Sequence, residues 1–203
     1  SGNVSDSFYD TANVFNYADV FQVPVIHMMD KFIASSVTTC QRFDETKVNI
    51  DRGKLLHEPP SNPYKRFEHT TDGLSPRSKI GLENGIFWNT GDESDVEGHI
   101  SEDPVNRVEM MDKRQSRLDY ILEKIPESEQ IVKHSDGEFC VVSWCSTQVP
   151  ILDAIDMLKN EGINIGFVEI KLLHPFPKEL LKKSFSNSKT IIDVEANYTG
   201  QLG

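Results

Sequence analysis

The last third of the chain constrains the fold most, because its apolar runs alternate between strand-like and helix-like spacing with short connections between them. Phe139 to Trp144 reads as a strand, Val149 to Asn160 as an amphipathic helix closed by Gly162, and Ile165 to Leu172 as a second strand. Pro177 then opens a short helix, and Thr190 to Val194 is a third strand. Strands joined through crossover helices are parallel and their connections right-handed, so this region is expected to form an open parallel sheet of at least three strands. Cys140 and Cys145 lie on its apolar run and are expected to be buried, reduced thiols.

The opening of the chain follows a different pattern. Phe8, Ala12, Phe15 and Ala18 recur at helical spacing, Pro24 to Asp30 reads as a short buried strand with His27 inside it, and Lys31 to Ser36 starts another helix. One strand cannot bury both of its faces, so this opening is incomplete as a domain, and the chain reads as cut at both ends. From Thr39 to about Asp103, prolines at 59, 60, 63 and 76, several glycines and many charges leave no sustained periodicity. Asp103-Pro104 then supplies an N-cap and a first-turn proline. Val108, Met111, Leu118, Leu122 and Ile125 follow as the apolar stripe of a long helix ending near Pro126.

Composition limits the functions available. The 21 basic and 32 acidic residues give a formal net charge of -11, which repels phosphate backbones and anionic lipid heads, so neither nucleic acid nor a membrane surface is an expected partner. No stretch reaches the roughly 20 apolar residues of a membrane span, and the first residues lack the order of a signal peptide. Cys40, Cys140 and Cys145 are too few and too scattered for a disulfide framework or an iron-sulfur cluster, which fits a reducing, cytoplasmic setting.

Two loops carry candidate chemistry. Gly91-Asp-Glu-Ser-Asp-Val-Glu-Gly-His-Ile-Ser-Glu-Asp103 gathers six carboxylates around two glycines and one histidine. It lacks the ligand order of a calcium loop, so metal binding is the least favoured of three readings, behind a solvated acidic loop and one used at a subunit or active-site surface; Asp92, Glu93, Asp95 and His99 are its candidate residues. In Thr70-Thr-Asp-Gly-Leu-Ser-Pro-Arg77 the Asp-Gly pair makes a turn, and Arg77 could clamp a carboxylate or phosphate or simply be solvated. The histidines show no metal-ligand spacing, so no metal site is expected, and no phosphate-binding glycine motif or serine elbow is present.

Several strings taken together resemble landmarks of the alpha subunits of 2-oxoacid:ferredoxin oxidoreductases. They are Phe15-Asn-Tyr-Ala-Asp19 through Gln22-Val-Pro-Val-Ile-His-Met-Met-Asp-Lys31, Asp72-Gly-Leu-Ser-Pro-Arg77, Gly91-Asp-Glu-Ser-Asp-Val-Glu-Gly-His99, Lys113-Arg114, Pro175-Phe-Pro177 and Glu195-Ala-Asn-Tyr-Thr-Gly-Gln201. They occur in family order across nearly the whole chain, and the His-Met-Met-Asp-Lys end of the first strand is most similar to archaeal members.

The resemblance implies an α/β fold in four segments. Residues 1–39 end a thiamine-enzyme pyrimidine-binding domain, 40–103 form an irregular excursion, 104–126 a long connecting helix, and 127–203 a transketolase C-terminal-like parallel-sheet domain. It also implies oxidative decarboxylation of pyruvate or other 2-oxoacids with coenzyme A to acyl-CoA, carbon dioxide and reduced ferredoxin. Thiamine diphosphate, Mg2+ and an iron-sulfur cluster would serve the full enzyme, with the diphosphate, metal and cluster on a partner beta subunit and none on this chain. The family's Tyr-Pro-Ile-Thr-Pro stretch, its cofactor-activating glutamate and its substrate arginine are missing here, so no catalytic residue is expected. Where the family often has Asp-Glu-His-Asp, this chain has Asp92-Glu-Ser-Asp95. Set against this reading is a free-standing α/β module that binds CoA or a basic protein through its acidic surface.

Overall fold

The computed structural model describes residues 1–203, which form two compact units, one of Ser1–Val14, Ile26–Asn49 and Leu122–Gly203 and the other of Phe15–Val25 and Ile50–Ile121. Helix α1 (Val4–Phe21) starts in the first and ends in the second, and α3 (Pro104–Lys124) runs the opposite way. The short helix α2 (Lys31–Ser35) belongs to the first unit, where the Asp30 side chain caps it by accepting from the Ile33 N–H at 3.0 Å.

The first unit is built on a four-stranded sheet of order β1-β3-β2-β4, with β1 (Ile131–Ser135), β2 (Phe139–Ser143), β3 (Ile165–Ile170) and β4 (Thr190–Val194). Strand β2 is parallel to both β3 and β4, in the arrangement expected from the β-α-β-α-β order. Helix α5 (Gln148–Asn160) carries the chain from β2 to β3, and α6 (Lys178–Ser184) returns it across β2 to β4. Right-handed crossovers in opposite directions put the two helices on opposite faces of the sheet. On the α6 side the core is apolar: Cys140 and Val142 of β2, Val168 and Ile170 of β3, Ile131 and Leu181 are all buried. Burying each of the valine, isoleucine and leucine side chains among them contributes about 1.5–3 kcal/mol. Both Cys140 and Cys145 are buried, as expected.

Strand β1 is not expected from the sequence. It pairs antiparallel with β3 and breaks register between Lys133 and Ser135. A five-residue edge strand holding Lys133 and His134 carries too little alternation to announce itself. It is reached through α4 (Glu127–Gln130), whose buried Gln130 donates to the Leu122 and Ile125 carbonyls at 2.9 and 2.7 Å and so satisfies the end of α3.

Two expectations are corrected. Residues 24–30 make no strand: the segment is free of regular structure, and Ile26, Met28 and Met29 are 82%, 49% and 39% exposed. No neighbouring strand offers its backbone a ladder, and an unpaired extended run cannot bury its side chains. His27 is therefore not a strand residue; it is half-buried and meets the Ser1 hydroxyl at 2.8 Å. The apolar stripe of α3 holds in its second half, where Leu118 and Leu122 are half-buried and Ile125 is buried, but not in its first. Val108 and Met111 are 59% and 38% exposed, while Met110, Lys113 and Ile121 are buried. Lys113 and, one turn on, Arg117 donate to loop carbonyls, and those bonds set which face turns inward.

The second unit has no sheet. Apart from its share of α1 and α3, it holds bends, turns and the isolated bridges Leu55–Arg77 and Ser94–Ile100. It is nevertheless packed, with Tyr64, Leu74 and Ser75 at 8%, 2% and 0% exposure.

Candidate functional site

The Asp72-to-Arg77 turn of the second unit is held from every side. Gly73 has φ +69°, and a side chain there would start 2.8 Å from the Lys113 carbonyl, so both the conformation and the close approach require glycine. The Asp72 carboxylate accepts from the Leu74 N–H at 3.1 Å, the Thr70 hydroxyl at 2.9 Å and the Lys54 ammonium at 2.7 Å. Burial alone would raise its pKa, but these bonds outweigh burial and hold it below the usual carboxylate range. Ser75 donates its hydroxyl to the Glu68 carbonyl at 2.7 Å, and the Gln22 amide donates to the Ser75 carbonyl at 2.6 Å.

Helix α3 supplies the other half of this arrangement. Lys113 is 7% exposed, and its ammonium donates to the Phe67 carbonyl at 2.7 Å and the Ser75 hydroxyl at 2.6 Å. Burial, with repulsion from Arg117, Arg66 and Arg114, pulls its pKa down to about 8 against a smaller opposing pull from Glu68. Arg117 donates from Nε to the Gly73 carbonyl and from Nη1 to the Gln22 carbonyl, both at 2.8 Å. Three backbone carbonyls of irregular chain, which no secondary structure satisfies, are thus met by two cations one helical turn apart.

Arg77, the sequence candidate for clamping a ligand, holds Asp19 at 3.0 Å, and Arg52 meets the other oxygen of that carboxylate at 2.6 Å. Bonding to Arg52 first, and then to Arg77, keeps Asp19 below the ordinary carboxylate range. The Arg77 Nε is buried without a hydrogen-bond partner.

The acidic loop is ordered by contacts with α3 and by its own Asp95 carboxylate. Glu93 takes a two-point grip from Arg114 at 3.0 and 2.6 Å, with Arg107 at 3.6 Å, and Asn106 donates to the Ser94 carbonyl at 3.1 Å. Asp95 Oδ1 accepts the N–H groups of Glu97, Gly98 and His99 at 2.9, 2.9 and 3.0 Å. His99 lies 3.8 Å from Asp95 and 6.0 Å from the Trp88 ring centroid, and Asp92 is exposed. The structure therefore groups Glu93 with Arg114 and Arg107, groups Asp95 with His99, and leaves Arg77 with Asp19.

A second polar constellation, absent from the sequence reading, lies in the first unit on the α5 side of the sheet. Glu169 of β3 is 2% exposed and accepts from the Gln148 amide at 2.7 Å, with His134 Nε2 at 3.2 Å. Gln148 in turn accepts from Asn3 at 3.1 Å, and the His134 ring stacks on Phe167 at 4.7 Å. Ser143 pairs in register with Glu169, is fully buried, and finds no partner for its hydroxyl. Only alternation on β3 could have hinted at this, since Glu169 breaks an otherwise apolar run. At the chain's end, Glu195 gathers the Leu202 and Gly203 N–H groups at 2.8 and 3.1 Å, the Trp144 indole N–H at 3.3 Å and the Asn197 amide. Desolvation opposes its ionisation, but the Leu202 and Gly203 N–H groups and the Asn197 amide prevail and draw its pKa to about 2.

Comparison with known proteins places these features in a family. The sequence pattern of the pyruvate flavodoxin/ferredoxin oxidoreductase thiamine-diphosphate-binding domain matches residues 1–113, and that of pyruvate:ferredoxin oxidoreductase core domain II matches residues 137–203. The chain is 44% identical, over its whole length, to 32% of the alpha subunit of 2-oxoacid:ferredoxin oxidoreductase 2 from Aeropyrum pernix. It is 36% identical to the corresponding subunit from Saccharolobus solfataricus, with the same coverage, and so spans about a third of the length of these relatives. The 2-oxoglutarate synthase subunit KorA of Methanocaldococcus jannaschii is 27% identical over 98% of this chain and 52% of its own length. Among solved structures, the 2-oxoglutarate:ferredoxin oxidoreductase from Magnetococcus marinus, with 2-oxoglutarate, coenzyme A and succinyl-CoA bound, superposes with a TM-score of 0.89. That match, at 27% identity, covers 100% of this chain and 35% of that one. Since the first of these domain patterns alone accounts for more than half of the residues, the chain belongs to the pyruvate flavodoxin/ferredoxin oxidoreductase family.

Proposed function

We propose that this chain is part of the alpha subunit of a 2-oxoacid:ferredoxin oxidoreductase. Such an enzyme oxidises a 2-oxoacid and CoA to acyl-CoA and carbon dioxide, and passes two electrons, one at a time, to ferredoxin. The observation that carries the reading is the ordered pair of domain matches over residues 1–113 and 137–203, together with a TM-score of 0.89 to an enzyme that holds a 2-oxoacid, CoA and an acyl-CoA.

The donor set of these 203 residues does not fit the cofactors of that reaction. No three His, Cys, Asp or Glu side chains converge as metal ligands. Cys40 is exposed while Cys140 and Cys145 are buried, and three cysteines fall short of the four thiolates of a usual cluster. Thiamine diphosphate would bring the ylid and the electron sink, and a beta subunit would hold its diphosphate, Mg2+ and the iron-sulfur centre. The role we assign to this chain is scaffold and surface. Residues 1–39 would end the pyrimidine-binding-type domain, 40–103 the excursion, 104–126 the connecting helix and 127–203 the transketolase C-terminal-like domain.

Within the excursion, Arg77, Asp92, Glu93, Asp95 and His99 would form part of an active-site or subunit surface. In favour of this, Glu93 and Asp95 spend their carboxylates on rigidity while Asp92 and His99 remain exposed. The cytoplasm is the proposed location; no helix is long and apolar enough to cross a membrane. The test is co-expression of the gene's complete alpha subunit with its beta partner, followed by viologen reduction dependent on both a 2-oxoacid and CoA. Absence of reduction with pyruvate, 2-oxoglutarate and branched 2-oxoacids alike would overturn the reading.

A further inference from the structure

Arg66 differs from the other arginines of the second unit. Arg52, Arg77, Arg107 and Arg114 each meet a carboxylate, and Arg117 meets two carbonyls. The Arg66 guanidinium has neither; it lies over the rings of Phe67 and Phe87, 5.1 and 5.6 Å from their centroids. Those rings are fixed. Phe67 and Phe87 meet edge to face at 6.5 Å, and Phe87 meets Tyr64 at 6.0 Å. Tyr64 is 8% exposed and anchored by donating to the Pro76 carbonyl at 2.6 Å and accepting the Ser78 N–H at 2.9 Å. Aromatic faces hold the flat side of a guanidinium and leave its N–H edge unused. None of the Arg66 nitrogens is among the buried, unpartnered atoms, so this edge keeps contact with solvent.

Arg66 stands among like charges that the nearby acidic groups offset only in part. It repels both Lys113 and Arg117, and it is itself held below arginine's usual range by burial first and then by Arg77. Of the carboxylates of this unit near cations, Asp72 is engaged by Lys54, Asp19 by Arg52 and Arg77, and Glu93 by Arg114, while Glu68 attracts Lys113 but offsets less than the cations around it repel. We propose that the N–H edge of Arg66 binds an oxyanion of a ligand, a carboxylate or phosphate, whose charge balances Arg66, Lys113 and Arg117. Such a group would take two parallel hydrogen bonds from a guanidinium already immobilised by its rings. The site does not rest on the oxidoreductase reading and would stand if that reading failed.

The test titrates the full chain, with arginine Nε labelled for NMR and ionic strength held constant, with inorganic phosphate, 2-oxoglutarate, coenzyme A and, as reference, chloride. A saturable shift of the Arg66 Nε–H signal is expected with phosphate-bearing or carboxylate-bearing probes, and the responding class names the source. The same titrant should raise the Lys113 pKa from about 8, because a bound anion stabilises the ammonium. Hydrogen bonds to charged groups predict that R66Q weakens binding roughly tenfold or more. R66K, which keeps the charge and loses the fork, should lie between. If R66Q does not fold, R66K decides alone. No saturable shift with any probe, or a variant that binds as the parent does, would overturn the site.

Discussion

Lys113 Nζ donates to Ser75 Oγ at 2.6 Å, and both residues are buried, so an ammonium on helix α3 is held against a loop hydroxyl with no carboxylate in contact. This bond, with the one to the Phe67 carbonyl, fixes the loop onto the helix. Its cost is electrostatic. A lysine whose folded pKa is about 8, against 10.5 for the ordinary side chain, opposes folding by about 3 kcal/mol wherever it is charged in both states.

The sign of the resulting pH dependence is fixed. Below pH 8 the penalty is present in full; between about 8 and 10.5 the unfolded chain holds the proton more often, so stability rises with pH. Lys113→Met removes this contribution. Subtracting the variant's urea-unfolding free energy from that of the parent at pH 7, 9 and 10.5 should give a difference that grows with pH. A difference flat across that window would contradict a depressed lysine.

Glu93 and Arg114 make the best-aligned ion pair of the acidic loop, but Arg114 is 43% exposed and solvent screens the pair. Glu93→Gln should therefore cost only about 1 kcal/mol or less. The Glu93 pKa is lowered by Arg114 first, so the pair contributes above the unfolded pKa and is lost as pH falls through the depressed folded value. In a complete enzyme, changing Asp92, Glu93 and Asp95 together to Asn, Gln and Asn should reduce turnover or assembly. Unchanged kinetics with unchanged oligomer size would leave a solvated loop and no more.

The parallel sheet was legible because each element from β2 to β4 carries its own signal: apolar runs at Phe139 and Ile165, a helical stripe between them, and prolines before α6. What stayed hidden depends on partners distant in sequence. Pro24 to Asp30 has a strand's composition, but a strand exists only through its ladder. The α3 stripe misleads because Lys113 and Arg117, polar by any scale, are drawn inward by carbonyls of residues 22, 67 and 73. The acidic loop was found from charge density, yet its division into separate pairs, with Arg77 turned to Asp19, comes from tertiary contacts that no spacing encodes.

Ser143 and Glu169 are register partners with opposite needs. The Ser143 hydroxyl is buried and unpartnered, so Ser143→Ala removes a desolvated group and should leave stability unchanged or raise it by up to about 1 kcal/mol. Glu169→Ala strands the Gln148 amide and should cost about 2–4 kcal/mol. Thermal unfolding of both variants compares them directly. A destabilised Ser143→Ala would mean that the hydroxyl has a bonding partner after all.

Close backbone approach makes a further demand at Gly166. A Cβ there would stand 2.8 Å from the Gly137 nitrogen and 3.2 Å from Cys140 Sγ, at the start of β3 where the chain enters the sheet. Backbone cannot yield as a flexible side chain would, so Gly166→Ala should destabilise by about 1–3 kcal/mol. A variant with the parent's chemical-denaturation midpoint would show that the backbone around Gly166 relaxes freely.

These 203 residues by themselves should neither bind thiamine diphosphate appreciably nor oxidise any 2-oxoacid. Holding the cofactor takes donors for a diphosphate, a divalent cation and a carboxylate for the aminopyrimidine. Here the strongest carboxylate acceptors are committed: Glu169 to Gln148 and His134, Glu195 to backbone N–H groups, Glu93 to Arg114 and Asp72 to Lys54. No three metal-ligating side chains converge. Removing electrons one at a time needs a redox centre, and Cys140 and Cys145 are buried thiols whose pKa values burial pushes upward, away from the thiolate a cluster requires. Groups that act as a unit lose function together, so the absence of several should leave no partial activity. Calorimetric titration with thiamine diphosphate and magnesium should give no heat of binding, and viologen should stay oxidised with pyruvate and CoA. Micromolar affinity for the cofactor, or reduction well above the blank, would mean that the catalytic groups lie within these residues; recovery of activity when the complete alpha subunit and its beta partner are supplied would place them beyond.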